Sequence, residues 1–334
     1  MTEYADLSAV ELFAGLPEDE LEHLARMMRP FDEPVGSALF REGDVSDGLY
    51  LLTSGALRVV RPGPHGMAIP LATLGPGAVV GELSLLGSSP RTATVLVARQ
   101  AQGWRLDRRA FDVLRADLRP MAIALIRRLG VLAAERMRDR YESIAAHLGV
   151  TPAPGAFPGA LPEARTEPGE LEHLATTLLF NEMSRAHITE VTADARRLFA
   201  ARGAVVLSPG VPPPALYVVV HGAVEVSVRG PETVQRLRLA GPGRAVGHLG
   251  VLGSAPAVAE ARARERTVLL ELPWPRVQAL LDGATDAARA FVLAFSEDVV
   301  RALRYAESPV AALRVSAGRD DDQPNTRLMV TPTV

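Results

Sequence analysis

The chain has 334 residues, with 36 basic side chains against 39 acidic ones and a formal net charge of −3, a balance that argues against a strongly basic nucleic-acid surface. Its length suggests about two domains. There is no cysteine, which excludes disulfides, thiolate catalysis and cysteine-ligated metal sites.

In chain order, the opening Met1-Thr2-Glu3-Tyr4-Ala5-Asp6 is acidic and polar, unlike the cationic start of a signal peptide. No apolar run approaches the roughly 18 to 20 residues of a membrane helix, so the expectation is a cytoplasmic protein with no membrane partner. Residues 17–28 carry a helical pattern. Short β-rich runs follow at 49–52, 56–60, 67–74 and 92–97, separated by Gly and Pro turns at the spacing of a β-sandwich or roll. Before the last of them comes Gly81-Glu82-Leu83-Ser84-Leu85-Leu86-Gly87-Ser88-Ser89-Pro90-Arg91-Thr92-Ala93. Gly81 lets a ligand approach the backbone closely, and residues 82–86 suit one short helical turn whose N–H groups can face an anion. Arg91 can neutralise a phosphate through paired, charge-assisted hydrogen bonds, while Glu82, an acceptor only, suits a sugar hydroxyl. The pattern fits a small anionic sugar phosphate.

The glycine, glutamate, leucine, proline, arginine and alanine of this run resemble, in identity and spacing, the phosphate-binding cassette of cyclic-nucleotide-binding domains. That module is shared by the catabolite activator protein, protein kinase A regulatory subunits and cyclic-nucleotide-gated channels. Phe40, Gly43, Asp44, Leu49, Tyr50, Gly55, Val59 and the turn Leu74-Gly75-Pro76-Gly77 fit the family's flanks as well. The resemblance implies a β-roll with flanking helices that closes on cAMP or cGMP, with no metal. Glu82 would hold the ribose 2′-hydroxyl, Arg91 the cyclic phosphate, and Gly81, Leu83 and Ser84 would offer backbone amides. Thr92 offers a hydroxyl that suits either the phosphate or a guanine amino group; cAMP is the favoured ligand.

Residues 108–115 are helical, and 119–148 read as one long helix with Pro120 in its first turn. Leu118, Met121, Leu125, Leu129 and Leu132 form a seam at spacings of three and four, which restarts at Met137, Tyr141, Ile144 and Leu148 after a step of five. In the resembled family the corresponding helix is a dimer interface whose polar residues also cap the base. Here the cap is expected at Leu132-Ala133, which makes Leu132 an apolar cover for the ligand. Homodimerisation through the seam and packing onto the chain's own domains both stay open. Arg127, Arg128, Arg136, Arg138 and Arg140 are interleaved with Glu135, Asp139 and Glu142 and read as a solvated face. Residues 151–170, rich in Pro, Ala and Gly, read as a semi-rigid linker.

Beyond the linker the chain repeats itself. Phe13, Gly36, Gly43, Leu49, Tyr50 and Gly55 recur as Phe180, Gly203, Gly210, Leu216, Tyr217 and Gly222, and after a one-residue deletion Gly77, Gly81, Leu83, Gly87, Pro90 and Leu106 recur as Gly243, Gly247, Leu249, Gly253, Pro256 and Leu272. Helical patterns cover 182–201, 274–281 and 284–306, and strands are expected at 215–220, 223–228, 234–239 and 268–272. His248 replaces Glu82, Ala257 replaces Arg91, Val258 replaces Thr92 and Glu260 replaces Thr94. Losing a desolvated charge partner costs about 2 to 5 kcal/mol, so the second copy reads as a fold kept without its ligand. The sharper alternative makes His248 and Arg244 a new anion or pH-sensing site. Residues 311–334, with Arg319-Asp320-Asp321-Asp322, read as a disordered acidic tail.

The expected architecture is therefore mainly β with helices: two tandem β-roll domains, 1–150 and 171–310, joined by a long helix and a Pro-rich linker. No kinase loop, P-loop, zinc motif, nucleophile elbow or helix-turn-helix is visible. The reading is a non-enzymatic cyclic nucleotide receptor with an unidentified protein effector and no nucleic-acid partner. Its alternatives are a catabolite activator-like regulator without a recognisable reading head, and a scaffold that senses nothing.

Overall fold

In the computed structural model the first roll is one six-stranded antiparallel sheet built around two long, bent strands. The structure describes residues 7, 10–13, 16–62, 67–87, 90–117, 119–150, 157–165, 169–253 and 255–317, without the side chains of 11, 117 and 306–317. Helix α1 (Glu18–Met27) sets three acids against its positive N-terminal dipole and leads into β1 (Met28–Glu33). The strands β2 (Ala38–Phe40), β3 (Gly48–Pro62), β4 (Ala68–Leu74), β5 (Val79–Val80) and β6 (Thr94–Asp107) complete the sheet, in the order β1-β6-β3-β4 with β2 on β6 and β5 on β3. The two runs expected at 49–52 and 56–60 are one strand, β3. Its register against β6 shifts three times between Leu52 and Leu57, and Gly55 supplies the bend at φ +93°, where a Cβ would collide with the Gln100 carbonyl. One strand thereby serves both walls of the roll.

The second roll divides the same path into two four-stranded sheets. After β7 (Arg196–Ala200) and β8 (Val205–Leu207), β9 (Ala215–His221) and β10 (Val224–Arg229) break at Gly222 and enter different sheets. The strands β11 (Val234–Ala240), β12 (Ala245–Val246), β13 (Glu260–Ala263) and β14 (Thr267–Pro273) complete orders β11-β10-β13-β8 and β12-β9-β14-β7. The helix expected over 182–201 is shorter. Ser184 caps α6 (Arg185–Val191), its hydroxyl accepting from the His187 amide at 3.1 Å. The chain then turns extended, because Leu198 and Ala200 are buried on the alternating face of β7.

Helix packing joins the rolls. The cassette helix α2 (Glu82–Leu86) and α3 (Arg108–Asp117) precede the long α4 (Pro120–His147), and α5 (Glu170–Ala175), α7 (Trp274–Asp282) and the C-terminal α8 (Asp286–Ala317) belong to the second half. Met121, Leu125, Leu129, Met137, Tyr141 and Ile144 are buried, and α4 packs along α8. At their crossing Gly130 lies so close that an added Cβ would sit 2.5 Å from Ser296 Oγ. Most of the seam is therefore filled within the chain, with Leu132 and Leu148 half-buried and Leu118 outside the described residues. One hydrophobic core runs from Leu24 in the first half through α4 to Leu303 in the second, while a smaller cluster around Tyr50, Leu57 and Val95 lines the interior of the first roll.

The linker is docked over its described part: Ala164 N donates to Arg197 O at 2.9 Å and Phe199 N to Pro162 O at 2.8 Å. Residues 151–156 and 166–168 fall outside the described residues, as does the acidic segment 318–334. The α8 backbone continues to Ala317, past the expected end at 306, so residues 311–317 are helical where a disordered tail is expected. Among the described residues no helix is long and apolar enough to cross a membrane.

Candidate ligand-binding site

A cavity of about 330 Å³ opens between the first roll, α2 and α4, within the size range of small-molecule sites. Gly81 caps α2 at φ +91°, and a side chain there would strike both the Arg91 guanidinium and, at 2.9 Å, the Gly48 carbonyl. Only glycine lets the cassette fold this tightly over the arginine. Glu82, Leu83, Ser84, Arg91 and Thr92 all line the cavity beside Gly81, so six of the seven residues expected from sequence are brought together.

Arg91 is buried and held on all sides. Nη1 donates to Gly81 O and Ser84 Oγ, each at 3.0 Å, and Nη2 donates to Gly48 O at 2.6 Å and to Asp47 Oδ1. Its guanidinium lies 3.9 Å from the Phe40 ring centre, and its Nε has no partner. Burial acts to raise the Asp47 carboxyl, but hydrogen bonds from Tyr50 Oη at 2.8 Å and from Arg91, with the nearby Arg105 charge, outweigh it and hold the group below the usual carboxylate range. Asp47 is thus an ionised anchor that fixes the arginine. Glu82 is fully buried; Oε1 accepts from Arg136 Nη1, and Oε2 has no partner. Each of the two charged cassette residues keeps one polar atom unpaired in a protein interior, where such groups are ordinarily satisfied.

Leu132 does not line the cavity; it packs against the core. The wall that α4 offers lies one turn further on, at Arg136, Asp139, Arg140 and Ser143, so the expected apolar cover is a polar one. Arg136 also reaches Val79 O at 2.6 Å. Nor is the arginine series a purely solvated face: Arg127 pairs with Asp282 at 2.5 Å and Arg128 donates to Leu12 O at 2.8 Å, while Arg138 pairs with Glu142 on the surface. Sequence reasoning missed Asp47, Arg136 and Leu303, the last of which reaches the cavity from α8. Neither Asp47, at the entry to β3, nor Leu303 carried a local signal.

The second cassette keeps the backbone and discards the cavity. Gly247 again caps the turn at φ +97°, but with Ala257 in place of the arginine only about 30 Å³ remains, close to the share of one water. A Cβ on Gly250 would meet the Trp274 ring. His248 is buried, its Nε2 lying 2.8 Å from Asp298 Oδ2 and its Nδ1 3.3 Å from Arg238 Nη2. Asp298 Oδ2 also accepts from the Ala245 amide at 3.0 Å. Burial pushes the imidazole below its ordinary value against the opposing pull of Asp298, consistent with a neutral ring that donates from Nε2 and accepts at Nδ1. The two copies therefore tie cassette to following helix with opposite polarity, Glu82 to Arg136 and His248 to Asp298.

The family model described as "Cyclic nucleotide-binding domain" matches residues 34–117 and again 197–283, together just over half of the chain. The chain belongs to the cyclic nucleotide-binding domain family. Among its relatives, Acetyltransferase Pat of Mycolicibacterium smegmatis is 41% identical over 110 residues, 33% of this chain and 33% of that one. The CRP-like cAMP-activated global transcriptional regulator of Mycobacterium tuberculosis is 31% identical over 149 residues, 45% of this chain and 64% of that one. The chain thus spans less than two thirds of either relative. The regulatory domain of Toxoplasma gondii protein kinase A, solved with cAMP, aligns over 84% of this chain and 91% of its own at 20% identity and a TM-score of 0.32. In this pair of cyclic nucleotide-binding domains, then, the first holds an open cavity around an acid and an arginine, and the second has closed on its own side chains.

Proposed function

We propose that the chain is a non-enzymatic receptor that binds one cyclic nucleotide, cAMP in preference to cGMP, in its first domain and signals to a separate protein through α4 and the second domain. The observation that carries this reading is the buried pair Glu82 and Arg91 beside a cavity of about 330 Å³, each with one unpartnered polar atom. Glu82 Oε2 accepts the ribose 2′-hydroxyl, and Arg91, held by Asp47, neutralises the cyclic phosphate, with Gly81, Leu83, Ser84 and Thr92 completing that end. Asp139 and Ser143 stand on the α4 wall, where an acceptor suits an exocyclic amino group. The preference for cAMP is supported by the relative from Mycobacterium tuberculosis, whose name gives it as cAMP-activated. Closure of α4 on the ligand through Arg136 is the step that carries the signal, since a ligand shifts a protein only by contacting its states unequally.

Calorimetric titration with cAMP, cGMP and a cyclic dinucleotide tests the proposal. Wild type should bind one cAMP per chain, and Arg91→Ala should weaken it by about 30-fold or more, the effect of truncating one partner of a buried charge pair. Equal binding by both proteins would remove Arg91 from the site.

A further inference from the structure

The C-terminal helix α8 belongs to the second domain, yet Leu303 lines the cavity of the first. The same helix contacts β4 and α2, two of the elements that line that cavity. Leu303 is buried at 1% exposure, although the chain contributes it from about two hundred residues beyond the cassette in a domain whose own cavity is closed. A helix rises about 1.5 Å per residue, so Leu303 stands roughly 7.5 Å along the axis from Asp298. Asp298 is the residue that ties α8 to the second cassette, where it accepts from the Ala245 amide and faces His248 Nε2, with Arg244 3.8 Å away. Ser296 meanwhile sits against Gly130 on α4. One short stretch of helix therefore touches α4, the closed cassette and the open cavity.

We infer that the His248–Asp298 tie of the second domain, the counterpart of Glu82–Arg136 in the first, acts as a clamp that holds α8 so that Leu303 forms part of the first domain's ligand pocket. The inference rests on the proposed function, since it assigns residues to that same pocket. In this arrangement Leu303 is a ligand-contacting residue and Asp298 a positioning residue that acts through it. The degenerate copy is then a component of the binding site rather than a spent one. Binding at the first cassette and ordering of the second are linked, and the linkage runs in both directions.

The test uses the full chain and cAMP, with circular dichroism confirming that each variant folds. Leu303→Ala should weaken cAMP about tenfold, the scale of losing a few buried methylenes from a pocket, while Leu303→Met should bind within about twofold of wild type because it restores apolar volume. Asp298→Asn, nearly isosteric, should weaken cAMP about fivefold, near the lower end of ordinary coupling. Hydrogen exchange supplies a readout that a merely structural role would not move. In wild type, cAMP should protect 245–252 and 296–303 along with 81–86; in Leu303→Ala only 81–86 should respond. Wild-type affinity in Leu303→Ala, tighter binding by it, or no ligand-induced protection in the second domain would overturn the inference while leaving the proposed function standing. Failure of wild type to bind any cyclic nucleotide would overturn both.

Discussion

Replacing His248 by Gln should remove a measurable part of the acid sensitivity of folding. His248 is 1% exposed, with Asp298 at Nε2, Arg238 at Nδ1 and the Phe295 ring 5.9 Å away; Arg244 faces the far oxygen of Asp298. Burial, the largest influence, lowers the imidazole below its ordinary value of 6.5, and the Asp298 hydrogen bond and charge only partly oppose it. As pH falls below about 6.5 the unfolded chain takes up a proton that the folded chain refuses. The stability contributed by neutral His248 is therefore full above that value and is lost as pH falls toward the folded-state value. Asp298 is also depressed, below 3.8, through its His248 partner, after burial acting the other way. Its contribution is lost only in stronger acid and does not enter the same window. A single group changes stability by at most about 1.4 kcal/mol per pH unit. Urea unfolding of wild type and His248→Gln at pH 7.5, 6.5 and 5.5 reads this as the difference between two curves. Wild type should lose more stability than the variant between pH 6.5 and 5.5, by up to about 1.4 kcal/mol. Parallel curves, or a wild type that gains stability on acidification through a charged His–Asp pair, would refute the reasoning.

Two further outcomes follow from the cassettes. Gly81→Ala should weaken cyclic nucleotide binding at least about tenfold, because a left-handed alanine costs roughly 1–2 kcal/mol and its methyl displaces the Arg91 guanidinium; calorimetry reads the loss, and circular dichroism should show the fold retained. Restoring the lost pair in the second cassette, with His248→Glu and Ala257→Arg together, should still give one ligand per chain. A cavity of about 30 Å³ has no room for a nucleotide, and a stoichiometry of two would contradict that account.

Much of this site was legible because a cassette is local. Gly81, Glu82, Leu83, Ser84, Arg91 and Thr92 lie within a dozen residues, and the turn that gathers them is written in the same run. The tandem was legible for a similar reason, since its turn glycines cannot be replaced without strain: Gly55 and Gly222 stand at the same bend with φ +93° and +84°. What escaped the sequence depends on helical phase and distance. Leu132 and Arg136 differ by one turn, and periodicity alone does not say which turn of α4 faces the cavity. Leu303 comes from the far end of the chain, and no local pattern marks it. Asp298 was unreadable for another reason: a buried carboxylate on an apolar helix acquires meaning only beside the His248 that replaced Glu82. The periodicity of the α4 seam leaves a second copy and the chain's own domains equally open as partners, and the helix packed along it is α8 of the same chain.

The most direct measurement is a crystal structure of the full chain grown with cAMP. The account predicts one nucleotide per chain in the first domain, its cyclic phosphate on Arg91, its ribose 2′-hydroxyl on Glu82, and Leu303 against it, with His248 still bound to Asp298 in the second. A nucleotide in the second cassette, or one in the first that leaves Glu82 and Arg91 untouched, would contradict it.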